Sequence, residues 1–158
     1  MIRSVLAALV AASLSAASAA AQPGDPNPPR VKGDSWPAVR DWGKAHIAQE
    51  DWLMVGSTGG QLWLVSALPS SDVSTYPLIR DWVRAEVAIE DKLSKSILNY
   101  VEVDCDKQRS RNIETYLYAH NNLRGSVYVA ESGLGVWDDA PKNSIRAAFI
   151  FSICRGAR

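Results

Sequence analysis

Trp52-Leu53-Met54-Val55-Gly56-Ser57-Thr58-Gly59-Gly60-Gln61-Leu62-Trp63-Leu64-Val65 is two apolar runs around a Gly-rich centre. Runs of that length flanking a tight, glycine-bearing turn predict a β-hairpin. The glycines are not a phosphate cradle, because the Lys-Ser/Thr of a P-loop and the helix that should follow are both missing.

Downstream of the hairpin, Pro69 to Tyr76 reads as a loop. From Trp82 to Glu90, Val83, Ala85, Val87 and Ile89 alternate with Trp82, Arg84, Glu86 and Glu90. Period-two alternation predicts a half-buried strand with one solvated face. Ser96 to Asp104 continues in that manner into Cys105, and Asn112 to His120 sets Ile113, Thr115, Leu117 and Ala119 against Glu114, Tyr116, Tyr118 and His120. Asn121-Asn122 and Gly125 make a turn, and Ser126 to Ala130 is a short strand. Six strands with tight turns predict an antiparallel meander. After Asp138-Asp139 and Pro141 the apolar positions Ile145, Ala148, Phe149 and Ile153 change to helical spacing. A C-terminal helix ending near Arg155-Gly156 fits, and a seventh strand through Phe149, Phe151 and Ile153 is the alternative.

Upstream, Arg3 precedes an uncharged run from Val5 to Ala21 that closes on Ala19-Ala20-Ala21. A short positive region, an apolar stretch and an Ala-x-Ala site make residues 1–21 a secretory signal cleaved near Ala21. Ala and Ser dilute the run below the roughly 20 strongly apolar residues of a membrane span. It has no Cys for a lipid anchor, so soluble release into the periplasm or the medium is expected. Residues 22–35, with Pro23, Pro26, Pro28 and Pro29, are expected to be a flexible leader, and residues 36–158 a single domain. Pro37 to Asp51 and Pro77 to Asp91 echo one another, sharing Pro, Arg-Asp-Trp, two Ala and Glu-Asp, eight identities in fifteen positions. Two copies make no repeat architecture. Whether the first is helix or strand stays open.

The 17 basic and 17 acidic residues become 16 and 17 once Arg3 leaves with the signal. Without a basic surplus, neither nucleic acid nor an anionic membrane is an expected partner. Cys105 and Cys154 are the two cysteines, and in an oxidising compartment an isolated pair is most simply one bridge. With the C-terminal helix in place, that bridge would clamp it to the sheet.

Catalytic constellations are not visible. Gly56-Ser57-Thr58-Gly59-Gly60 and Glu131-Ser132-Gly133-Leu134-Gly135 both miss the Gly-x-Ser-x-Gly elbow, and His46 with Glu50 misses the zinc-protease spacing. Glu102, Asp104 and Asp106 share one side of a strand, which reads as a solvated face, with a cation site as the rarer alternative. No metal or cofactor is expected. His120 beside Tyr116 and Tyr118 could form a shallow ligand surface, against the commoner sheet-face histidine. Of six tryptophans, Trp52, Trp63 and Trp82 are expected in the core. Trp36, Trp42 and Trp137 are expected to be partly exposed, as anchors for a partner.

Several of these residues together, from Asp51 to Cys154, resemble the surface-adhesin protein E family. They are the Trp-initiated hairpin Trp52 to Val65, Trp82-Val83-Arg84, Val101-Glu102-Val103-Asp104-Cys105 followed by Arg109, Arg111 and Tyr116, then Gly125, Trp137, Pro141 and the closing Cys154. The resemblance implies an α+β fold: a six-stranded antiparallel meander with a C-terminal helix tied on by the disulfide. It also implies a non-enzymatic binding module, adhesion to host matrix and complement-related proteins, and a capacity to form a homodimer. No short motif transfers the family's binding residues. The expected function is therefore an exported module holding a protein or cell-envelope component. The alternative is an inhibitor or accessory subunit of an envelope enzyme that plugs a cleft with Ser132 to Pro141. A hydrolase using carboxylates is the third reading.

Overall fold

A computed structural model of the chain describes residues 24–68, 75–89 and 93–156. The signal segment and its cleavage site lie outside the described residues. In chain order the elements are α1 (Trp36–His46), β1 (Trp52–Thr58), β2 (Gln61–Ser66), β3 (Leu78–Val87), β4 (Ser96–Asp104), β5 (Arg109–His120), β6 (Arg124–Ser132), β7 (Asp138–Asp139) and α2 (Ile145–Gly156). Strands β1 to β6 form an antiparallel meander in sequence order, as the alternation predicted. The two-residue β7, where a helix start was expected, continues along the outer edge of β5 opposite Arg109 and Ser110.

The opening hairpin turns on Gly59 and Gly60, with φ of 53° and 69°. Such a pair of positive φ values is what a two-residue hairpin turn demands. Gly60 is doubly constrained, since a Cβ there would lie 2.0 Å from Cγ1 of Ile89.

Helix α2 resolves the C-terminal ambiguity in favour of a helix. It begins after Ser144, whose hydroxyl accepts the Ala147 amide at 3.1 Å, an N-cap. Its face of Phe149, Ile150, Ile153 and Cys154 packs on Val65, Ile79, Val83, Val101, Val103 and Cys105. Cys105 and Cys154 are joined, with their Cα atoms 5.7 Å apart, so the helix is clamped to the end of β4.

The opposite face of the sheet holds α1. Val39, Trp42 and Ile47 bury against Leu62, Leu64 and Ala88. The two copies of the echo thus take different structures: Pro37 to His46 is helical, and Leu78 to Val87 is a strand. The second copy places Ile79, Asp81, Val83, Ala85 and Val87 at alternate positions on one buried side, and the three β-branched residues among them favour strand. The first places Val39, Trp42, Gly43 and Ile47 at helical spacing, with Pro37 in the first turn and Ala38 and Ala45 within.

Coverage on both faces corrects three expectations. Strand β3 has no solvated face at its upper half: Arg84 is 3% exposed and Glu86 0%. Trp42 is a core residue, whereas Trp52, Trp63 and Trp82 are only half-buried. Residues from Gly24 onward, expected to be flexible, are tied down. The Gly24 amide donates to the His46 carbonyl (3.0 Å), Val31 to Ala88 (3.1 Å) and the Trp42 indole to Pro29 (2.7 Å). The prolines do prevent a helix or strand there, but their neighbours' polar groups find partners on the domain.

Candidate functional site

Helix α1 covers β1 and β2 and the leader closes over the end of β3 near Glu86, while the middle of the same side, from Trp82 toward β6, is only half-buried among the described residues. Register places Arg80, Trp82 and Arg84 of β3 opposite Glu102, Tyr100 and Leu98 of β4. Leu98 and Tyr100 lie in turn opposite Tyr116 and Glu114 of β5, and Tyr116 and Tyr118 opposite Val129 and Val127 of β6. Side chains directly across an antiparallel pair share a face. The result is one band of Trp82, Leu98, Tyr100, Tyr116, Tyr118, Val127 and Val129 running over four strands. Trp82 packs on Tyr100 with ring centroids 4.7 Å apart and on Tyr116 at 6.2 Å. The rings are half-buried, and neither helix lies over them.

Below the aromatic band the same face becomes ionic. Glu102 takes Arg80 on one oxygen (3.0 Å) and Arg111 on the other. Asp104 accepts Arg109 at 3.2 Å and the Lys107 amide at 3.1 Å. Asp106 accepts the Tyr76 hydroxyl at 2.6 Å. The solvated acidic face is thereby corrected: Glu102 and Asp104 are buried and each is neutralised by arginine. Burial would raise both carboxyls, but Arg111 and Arg80 hold Glu102 below its usual value, and the Lys107 amide and Arg109 hold Asp104 below. Among the described residues no group of three or more His, Cys, Asp or Glu is placed to hold a metal.

Trp137 lies across Arg109 and Arg111, each guanidinium 4.5 Å from the ring centroid. Ser132 to Pro141 runs back along the edge of β5, with Gly133 and Gly135 donating to the Ile113 and Asn112 carbonyls. Asp138 pairs with Arg146 of α2 at 2.8 Å, so this segment straps the sheet edge from face to face. The large apolar side chains it leaves exposed are Leu134 and Val136.

Of the residues singled out in the sequence, Tyr116 and Tyr118 fall in the band and Trp137 at its ionic end. The Tyr116 hydroxyl donates to Glu114, which raises its pKa. His120 is apart, past a register shift at the top of β5, with Nδ1 3.0 Å from Oδ1 of Asn27. Trp82 and Tyr100, the centre of the band, were missed. Alternation marks which residues share a face but not which face a helix covers.

A second constellation is internal. Glu86 accepts Arg84 Nε (2.7 Å), the Ser96 hydroxyl (2.9 Å), Asn121 Nδ2 (2.8 Å) and the Asn122 amide (3.1 Å). Asn122 Oδ1 receives the Ala48 amide (2.8 Å) and Arg84 (3.1 Å), and its Nδ2 donates to the Asp25 (2.7 Å) and His46 (3.0 Å) carbonyls. The Glu86 carboxylate and the Asn122 side-chain amide are thus fully engaged by protein groups.

Residues 64–155 match the family model of surface-adhesin protein E. Two solved structures of protein E from Haemophilus influenzae share the fold. One aligns with a TM-score of 0.57 at 7% identity over 80% of this chain and 93% of that one. The other, crystal form II, aligns with a TM-score of 0.56 at 9% identity over 69% and 91%. No curated protein sequence matches.

Proposed function

The chain belongs to the surface-adhesin protein E family, and from that premise we propose that it is an exported, non-enzymatic binding module whose open aromatic face holds a protein or cell-envelope partner. The supporting observation is the band of Trp82, Leu98, Tyr100, Tyr116 and Tyr118, which both helices leave uncovered. Contiguous apolar surface of that kind, rimmed by arginine and carboxylate, is the anatomy of an interaction surface. Tyr, Trp and Arg are also the residue types that anchor interfaces. Export follows from the signal of residues 1–21, cut near Ala21, and agrees with the Cys105–Cys154 bridge. No helix among the described residues is long and apolar enough to cross a membrane.

The test is recovery of the partner from envelope extract by the purified protein, followed by affinity measurement. Trp82→Ala and Tyr116→Ala are expected to weaken binding at least tenfold, while Phe151→Ala, on the outer side of α2, leaves it unchanged. Equal affinity for all three variants removes the aromatic face from the reading.

Exposed Val136 on a strapped segment favours a second reading, an inhibitor or accessory subunit of an envelope enzyme. Held at both ends, the segment would enter a cleft with little ordering cost. Val136→Asp is expected to abolish that inhibition and leave the aromatic face's partner bound.

A further inference from the structure

Trp137 and the two arginines against it belong neither to the core nor to the aromatic band. The register of β7 on β5 sets Asp139 opposite Arg109 and Asp138 opposite Ser110, so Trp137 follows next, beside Arg111. Both guanidinium carbons lie 4.5 Å from the centre of its ring, which places the two planar forks within reach of a single anion. From the sheet side Asp104 holds Arg109 and Glu102 holds Arg111. Each guanidinium is thus clamped between a carboxylate and an indole, its plane and direction fixed before any ligand arrives.

The clamp leaves donors over. A guanidinium offers a fork of N–H donors and no acceptor. Arg109 uses Nε on Asp104, and Arg111 uses Nε and Nη2 on Glu102. Among the described residues, both Nη atoms of Arg109 and Nη1 of Arg111 have no acceptor in the chain. The neighbouring carboxylates are already engaged: Glu102 holds Arg80 on its other oxygen, and Asp104 holds the Lys107 amide. Asp139 lies across from Arg109 but is exposed and forms no ion pair with it. The side chains of Arg109 and Arg111 keep only 26% and 21% of their surface open. Their remaining N–H groups therefore sit in a recess, where salt screens charge less than at an open surface.

We propose that Arg109, Arg111 and Trp137 form an anion-binding subsite at the ionic end of the open face, taking an oxyanion, the carboxylate or phosphate group of the partner held there. Guanidinium forks bond both groups through paired N–H···O⁻ contacts, and the indole gives the carbon that carries the anion an apolar surface beside it. The partner thereby acquires a direction, with its apolar part on Trp82 and Tyr100 and its anionic group over Arg111. That assignment to the partner rests on the aromatic-face reading; anion binding at the subsite does not.

The experiment is NMR of the arginine Nε–H groups of the purified protein at constant ionic strength, titrated with inorganic phosphate, with acetate and with chloride. Phosphate is expected to shift the Arg109 and Arg111 signals to saturation, half-way at about 1 to 10 mM, while those of Arg40 and Arg155 stay in place. Saturation by phosphate alone identifies a phosphoryl group, and saturation by acetate as well identifies a carboxylate; either supports the site. Asp139→Asn, which removes a negative charge facing the subsite, is expected to tighten phosphate about threefold. Trp137→Ala should weaken it about tenfold, and Trp137→Phe should restore most of the loss. Shifts that rise without saturation and that chloride reproduces overturn the proposal. So does a phosphate affinity unchanged by both Asp139→Asn and Trp137→Ala. Should the Trp137 variants fold poorly, the exposed Asp139→Asn change decides alone. Trp82→Ala is expected to lose the partner and keep phosphate, so failure of the aromatic-face reading and failure of the subsite are read separately.

Discussion

Asp81 shows how one side chain can set the pH dependence of stability. It is buried on the α2 face between Ile79 and Val83, opposite Val101, and its carboxylate accepts the Trp82 amide at 2.7 Å. Burial raises its pKa from 3.8 to about 6, with the Trp82 amide opposing. A carboxyl whose folded pKa exceeds its unfolded value makes the native state bind protons more readily, so its effect on stability turns unfavourable as pH rises from about 4 to 6. Above that window the charged form costs about 3 kcal/mol as an upper figure. Asp81→Asn keeps an acceptor for Trp82 and removes the charge. It is expected to raise the melting temperature at pH 7.5 and leave it nearly unchanged at pH 3.5. Glu102 and Asp104 act with the opposite sign. Their depressed pKa values give stability that is present above about pH 4 and lost in stronger acid. Stability against pH should therefore peak between about 4 and 6, which thermal melts across that range would check.

At the scale of elements, the instructive pair is α1 and β3, built from nearly the same text. Gly43 stands where β3 has Val83. A Cβ on Gly43 would come within 2.4 Å of Leu62 Cδ2 and 2.9 Å of Met54 Cε, so any side chain there forces Leu62 and Met54 to shift. Gly43→Val is expected to destabilise the protein by about 2 to 3 kcal/mol in denaturant titrations, despite the better intrinsic propensity of the longer side chain. Loss of the bridge by Cys154→Ser should cost a similar or greater amount, about 4 kcal/mol for a closed loop of this length. The strands were legible because period-two alternation is local, and the Gly59-Gly60 turn because its chemistry is. Helix α2 was half legible, since Phe149 and Phe151 also fit an alternating pattern, and packing on the sheet decided between them. Helix α1 was only ambiguous in the sequence: Val39, Trp42, Gly43 and Ile47 have helical spacing, but nearly the same text forms strand β3, and the packing on Leu62 that favours the helix is nineteen positions away. The open aromatic face shares that difficulty. Tyr116 and Tyr118 were read as a surface, but Trp82 was assigned to the core because nothing local says that α1 ends its cover at β2.

For the molecule as a whole, Asn122 is the point where distant segments meet. Its side chain joins residues from the leader (Asp25), the end of α1 (His46, Ala48) and β3 (Arg84). Asn122→Ala would leave part-buried donors and carbonyls without this partner, at a cost of about 1 kcal/mol or more each. The expected loss is at least 3 kcal/mol, accompanied by early proteolytic cutting between residues 24 and 35, which a digestion time course would show. Unchanged digestion would mean that the leader is held by other contacts. The sheet's two edges are unlike: α1 and α2 flank β1 and a register shift breaks it, whereas among the described residues no strand pairs with the outer side of β6, where Val127, Tyr128 and Val129 are exposed. Exposed apolar edges are where sheets add foreign strands, so colloidal stability at high concentration is governed at β6 rather than at β1.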